Sequence, residues 1–93
     1  MIRALSLTMI LTATALSTAG AAFAAPSCTD KAKSEWMPED QMRAEVAKLG
    51  YSKIKVFQVS GSCYEIYALT KDGARAEVYF NPVDGSIVQN NVD

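Results

Sequence analysis

Histidine is absent from all 93 residues, and cysteine occurs only twice, at Cys28 and Cys63. The first absence removes the side chain most used as a general base near neutral pH, and the commonest transition-metal ligand with it. The second leaves no Cys-x-x-Cys pair of the kind that lowers a thiol pKa for redox work. No glycine-rich phosphate loop and no nucleophile set beside a base can be found. A basic block is missing too: nine Lys and Arg stand against ten Asp and Glu. Without a footprint to neutralise phosphates, neither nucleic acid nor an anionic membrane surface is expected as a partner. What remains for acid-base chemistry is Asp, Glu, Lys and Tyr, and their spacing shows no dyad. The reading is therefore of a chain that is not an enzyme and needs neither metal nor cofactor.

The first 24 residues have the layout of an export leader. Met1-Ile2-Arg3 is a short basic start, Ala4 to Leu16 is an apolar run broken only by Ser and Thr, and Ala22-Phe23-Ala24 is a small-x-small site. Cleavage is expected after Ala24, leaving a periplasmic or secreted protein of about 69 residues. Acylation of Cys28 is the rival, but Ala25-Pro26-Ser27 has no Leu three positions before it and carries Pro in the way. A chain this short buries only about 60% of its unfolded surface, so a core alone is marginal. The two cysteines, even in number and exported, are read first as a disulfide between Cys28 and Cys63. Closing that loop is worth roughly 3 to 4 kcal/mol in the chain-entropy account.

Residues 25–35 read as an irregular lead-in. A helix is then predicted from Pro38 to Leu49: Pro suits the first helical position, and Glu39 and Asp40 suit the positive end of the helix dipole. Met42, Val46 and Leu49 form the stripe to be buried, with Ala47 beside it, and Gly50 ends the helix. Trp36 and Met37 are expected to pack against its first turns.

From Tyr51 the pattern changes to strand. Ile54 to Val59, Cys63 to Leu69, Arg75 to Phe80 and Ser86 to Val88 are four runs rich in β-branched and aromatic residues, separated by turns at Ser60-Gly61-Ser62, Lys71-Asp72-Gly73 and Asn81-Pro82-Val83-Asp84-Gly85. The fold class is α+β, one N-terminal amphipathic helix packed on a three- to four-stranded antiparallel β-meander. Alternation places Ile66, Val78 and Phe80 on the helix side, with Ile54, Val56 and Ile87 completing the core. In the first strand Ile54 and Val56 compete with Phe57 and Val59 for that side, because a one-residue slip exchanges them. The open face then carries Tyr67 and Tyr79 as cross-strand neighbours, flanked by Glu65, Glu77 and Arg75, with Phe57 or Val59 beside them. These residues are the candidate partner-binding set, since aromatics with a polar tip suit interfaces; the bland alternative is a tyrosine pair that only stabilises the sheet, or one covered by the lead-in. The aspartates of the two Asp-Gly turns lack the ligand density that calcium requires. Gln89 to Asp93 reads as a tail, flexible over 90–93.

A helix ending in Gly-Tyr, followed by Cys63-Tyr64-Glu65-Ile66-Tyr67-Ala68, Asp72-Gly73, Glu77-Val78-Tyr79-Phe80 and Asn81-Pro82-Val83-Asp84-Gly85-Ser86-Ile87-Val88, resembles the small exported PepSY domain proteins of bacteria. The resemblance spans about Trp36 to Val88, within a domain set at 36–89. It implies a helix on an antiparallel sheet and a non-catalytic module. PepSY domains occur in propeptides of secreted metallopeptidases, where they are associated with inhibition and assisted folding, and in membrane-associated and stand-alone exported proteins. No peptidase follows in this chain, so a target is expected in trans, either a peptidase or another envelope or secreted protein. The alternative from a different class is a periplasmic sensor of a small ligand or of envelope stress, which needs a pocket between helix and sheet near Met42, Val46 and Phe80.

Overall fold

A computed structural model describes residues 24–93; the expected export leader lies, except for Ala24, outside the described residues. In chain order these form a 3-10 turn at Lys33–Glu35, one α-helix, α1 (Glu39–Lys48), and four strands, β1 (Ser52–Ser60), β2 (Cys63–Leu69), β3 (Arg75–Phe80) and β4 (Ile87–Val92). The strands make one antiparallel sheet in sequence order, so every connection is a local hairpin. This is the α+β arrangement expected, with the full four strands.

Pro38 sits one position earlier than expected, as the capping residue with extended backbone, and its carbonyl accepts the first helical bond from Met42 N at 3.0 Å. Glu39 and Asp40 occupy the first turn and Lys48 the last, as the helix dipole favours. Arg43 pairs with Glu39 at 3.1 Å and Lys48 with Glu45 at 3.2 Å. Such exposed pairs contribute about 0.3–0.5 kcal/mol each. Leu49 closes the helix, and Gly50 follows at φ 94°, a left-handed turn where an added Cβ would also strike the stem of Lys71.

The inward face of α1 is narrower than its sequence pattern. Met42 and Val46 are fully buried, whereas Leu49 is 48% exposed and Ala47 points to solvent. Met42 and Val46 meet Tyr64, Ile66 and Ala68 of β2 and Ala76, Val78 and Phe80 of β3, with Trp36, Met37, Tyr51, Ile54 and Phe57 packed around the rim. The space a ligand pocket would need is filled by Met42, Val46 and Phe80, none of which has exposed surface. Val56 and Ile87 are not core residues: the register of β1 turns Val56 to the face away from the helix, opposite Tyr67, and Ile87 is 41% exposed at the start of an edge strand.

The chain before the helix is built in. Trp36 packs edge-on against Tyr64 with ring centroids 5.4 Å apart, and its indole N–H donates to the Lys31 carbonyl at 3.1 Å. Tyr64 OH donates to the Met37 carbonyl at 2.7 Å, and Met37 N–H donates to the carbonyl of the buried Pro82 at 2.8 Å. The Asn81-Pro82-Val83-Asp84-Gly85 turn thus fixes the angle at which the chain enters α1.

At the other end of the chain, the expected tail is a strand. Gln89, Asn90, Asn91 and Val92 pair with Tyr79, Val78, Glu77 and Ala76, and Asp93 N–H donates to Arg75 O at 2.9 Å. Polar composition misled the sequence reading, since an edge strand next to β3 needs only one apolar neighbour row to hold it.

Candidate functional site

The face of the sheet turned away from α1 is set by alternation. Cys63, Glu65, Tyr67 and Leu69 of β2 share it with Arg75, Glu77 and Tyr79 of β3. The hairpin register places Tyr67 opposite Glu77 and Tyr79 opposite Glu65. The tyrosines are therefore diagonal neighbours and not a direct pair, each facing a carboxyl group. From the flanking strands, Gln58 stands opposite Glu65 and Asn91 opposite Glu77.

These side chains form one hydrogen-bonded cluster around Glu77. Its Oε2 accepts from Tyr67 OH at 2.7 Å and from Tyr79 OH at 3.2 Å, and its Oε1 accepts from Asn91 Nδ2 at 3.1 Å. Gln58 Nε2 donates to Oε1 of the buried Glu65 at 2.7 Å. A hydrogen bond shared with the Glu65 carboxyl, then those from Tyr67, Asn91 and Tyr79, holds Glu77 below the ordinary carboxyl range, against the opposing effect of burial. Donation to Glu77, with burial and the charge of Glu65, pushes the Tyr67 phenol up to about 12. Burial, followed by the hydrogen bond and charge of Glu65, pushes Tyr79 up as well.

Sequence spacing showed no carboxyl pair, yet the fold sets Glu65 and Glu77 diagonally on adjacent strands. The signal was present in the matched parity of the two strands, but only the hairpin register brings 65 and 77 together. Two carboxyls and two phenols at this distance can share protons and order one another.

The candidates differ in access. Tyr79 and Glu65 are buried, and Glu77 is half-buried, whereas Tyr67 is 41% exposed and Arg75 reaches solvent, 3.7 Å from Asp93. Phe57 does not belong to this face. It stands opposite Ile66, packs on Tyr64 with centroids 5.0 Å apart, and lies under the Arg43 guanidinium at 4.9 Å. That is the helix side, and Val59, opposite Tyr64, is on the same side. Val56, opposite Tyr67, takes the place on the open face that was expected for Phe57.

At one end of the face Cys28 and Cys63 form the expected disulfide, with Cα atoms 5.1 Å apart. The lead-in is fastened beside it, where Ser62 Oγ accepts from Cys28 N at 2.9 Å and Thr29 N at 3.4 Å. The Pro26 carbonyl oxygen lies 3.0 Å from the Cys63 sulfur, a contact without a proton because that sulfur is bonded to Cys28. Among the described residues no group of three or more His, Cys, Asp or Glu converges as a metal site. Nor is any helix among them long and apolar enough to cross a membrane.

No curated protein and no solved structure matches the chain. One family model does, over residues 8–91: the peptidase propeptide and YPEB domain. The match begins at residue 8, before the described residues, and ends within β4. Since it spans most of the sequence, and the helix on a four-stranded antiparallel meander is the arrangement implied by the PepSY resemblance, the chain belongs to the PepSY family of peptidase propeptide and YPEB domains.

Proposed function

We propose that this chain is an exported, non-catalytic binding module that acts in trans on a peptidase or another envelope protein, through the sheet face centred on Tyr67. The family's description as a peptidase propeptide domain supports the class of partner, and the leader-like sequence of residues 1–24 supports a periplasmic or secreted location.

The observation that carries the reading is the state of Tyr67. The residue is 41% exposed while its hydroxyl is fixed 2.7 Å from Glu77. Glu77 is held in turn by Tyr79 and Asn91. An aromatic ring presented to solvent in one orientation has already lost the rotamer freedom that a binding partner would otherwise have to take from it. Exposed Val56 stands directly opposite on β1 and enlarges the apolar part of the patch, with Arg75 at its rim.

The test is inhibition of the exported metallopeptidases of the protein's own organism, with wild type and Tyr67→Ser compared at micromolar concentration. Wild type should change peptidase activity, and Tyr67→Ser should weaken the effect at least about tenfold, the loss of one anchoring side chain worth about 1.4 kcal/mol. Crosslinking in the envelope extends the test to other partners. Equal recovery of partners by wild type and Tyr67→Ser would remove the interface from this face.

A further inference from the structure

Among the described residues two strands, β1 and β4, form the edges of the sheet, and they are built differently. β1 carries Lys53 and Lys55 and an irregularity between Ser52 and Val56. Charge and local distortion both discourage an incoming strand. β4 reads Ile87-Val88-Gln89-Asn90-Asn91-Val92, with no charge, no proline and no glycine. That is the composition of segments that pair with copies of themselves. Its one irregularity lies at its beginning, opposite Phe80, and leaves Gln89 to Val92 regular.

The ladder fixes which backbone groups are unpaired. Asp93 N–H donates to Arg75 O at 2.9 Å, and the register sets these two residues opposite each other, one step beyond Ala76 and Val92. Bonded and non-bonded pairs alternate in an antiparallel ladder. Gln89 and Asn91 therefore turn their N–H and C=O groups toward β3, and Asn90 and Val92 turn theirs outward. On the same strand Ile87, Val88 and Val92 are left exposed.

We propose that β4 is a self-association edge, at which a second copy of this chain pairs antiparallel, β4 to β4, about a two-fold axis at Asn90. The two four-stranded sheets then become one continuous sheet. In this register Asn90 meets its own mate, Val92 meets Val88 of the second copy, and Gln89 meets Asn91. Apolar faces apolar, amide faces amide, and no charge is brought against another. The Asn90 side chain donates to Tyr51 OH at 3.0 Å, which holds it to the helix side and leaves its backbone groups clear. A second copy fits this edge better than a foreign peptide does, because β4 offers no charge with which to select one, whereas a two-fold contact needs only its own complement. The contact does not use Tyr67, so it stands or falls separately from the proposed binding face.

Sedimentation velocity decides it, on the protein in the form an expressing host accumulates, over concentrations up to about 1 mM. Wild type should pass from monomer to dimer as concentration rises. Asn90→Lys, which sets two ammonium groups together at the axis, should stay monomeric throughout, and Val59→Lys on the opposite edge should dimerise like wild type. Backbone amide exchange in wild type gives a second reading that needs no variant: Asn90 and Val92 should slow with concentration, while Gln89 and Asn91 stay unchanged. A wild type that remains monomeric over the whole range overturns the proposal. So does a dimer that survives Asn90→Lys, and so does protection of Asn90 and Val92 that depends on an added extended peptide and not on concentration.

Discussion

Ile54 and Phe57, three residues apart in the same strand, both pack against the helix-side core. Regular alternation would send them to opposite faces. The register shift between Ser52 and Val56 resolves the conflict by inserting extra residues into β1, and Lys53 takes the left-handed conformation at φ 50° that the insertion requires. The two competing alignments of this strand are thus both used, one on each side of the bulge.

The bulge makes a prediction that runs against strand propensity. Lys53→Val would improve a regular strand, but a β-branched residue at positive φ is strained, so urea unfolding should show a loss of about 1 kcal/mol or more. Lys53→Gly should be tolerated far better. A stabilising Lys53→Val would mean that the bulge is not formed.

The narrow helix seat predicts an uneven response to truncation. Met42→Ala should cost about 2–5 kcal/mol, as expected for a large side chain removed from a packed core. Leu49→Ala should cost well under half as much, because that side chain is 48% exposed. Urea midpoints at constant slope measure both. Equal losses would place Leu49 back in the core.

Reduction should weaken the fold markedly. The Cys28–Cys63 bridge closes a separation of 35 residues, and the double variant Cys28→Ser, Cys63→Ser should lose roughly 3 to 4 kcal/mol. Alkylation without reductant should label neither cysteine. A protein that takes two labels while folded contradicts the bridge.

Alkaline titration probes the Tyr67 to Glu77 bond. The phenol of Tyr67 should ionise near about 12, and its folded value is raised above the ordinary 10.0. Stability from this bond is complete below pH 10.0 and is lost as pH rises toward 12. Absorbance of phenolate near the ultraviolet edge, compared between wild type and Tyr67→Phe, isolates this group. In Glu77→Gln it should move down toward 10.0, since the largest cause of the shift has been removed.

At the acid end the sign is reversed. Glu77 has a folded value below the ordinary 4.5. Its contribution is therefore present above that pH and is lost as pH falls through the lower folded value. The urea midpoint of wild type should decline in this window, and Glu77→Gln should flatten the decline. A profile with the same acid slope in both would show that Glu77 is not held by the cluster.

Much of this molecule is legible in its sequence because it depends on local rules. The Pro38 to Gly50 helix signals, the Asp-Gly turns and the alternation of Cys63 to Leu69 and Arg75 to Phe80 assign the helix, the two central strands and their faces, and the single pair of cysteines implies its own bridge. The family resemblance rests on these same turns and strands. Less legible were the positions where an element meets its limits. Leu49 carries the helix period but lies beyond the reach of the sheet, and the polar Gln89 to Val92 becomes a strand because β3 offers an unpaired ladder beside it.

What the sequence alone determined, then, is the α+β class, the disulfide and the two faces of the central hairpin, since periodicity, turn chemistry and cysteine count act through neighbours in the chain. Tertiary structure alone decided that Phe57 lies on the helix side, that each tyrosine faces a glutamate, and that both hydroxyls converge on Glu77. Those relationships depend on register between strands, and a register is set by packing across the whole sheet, where a single bulge in β1 changes which side chains share a face.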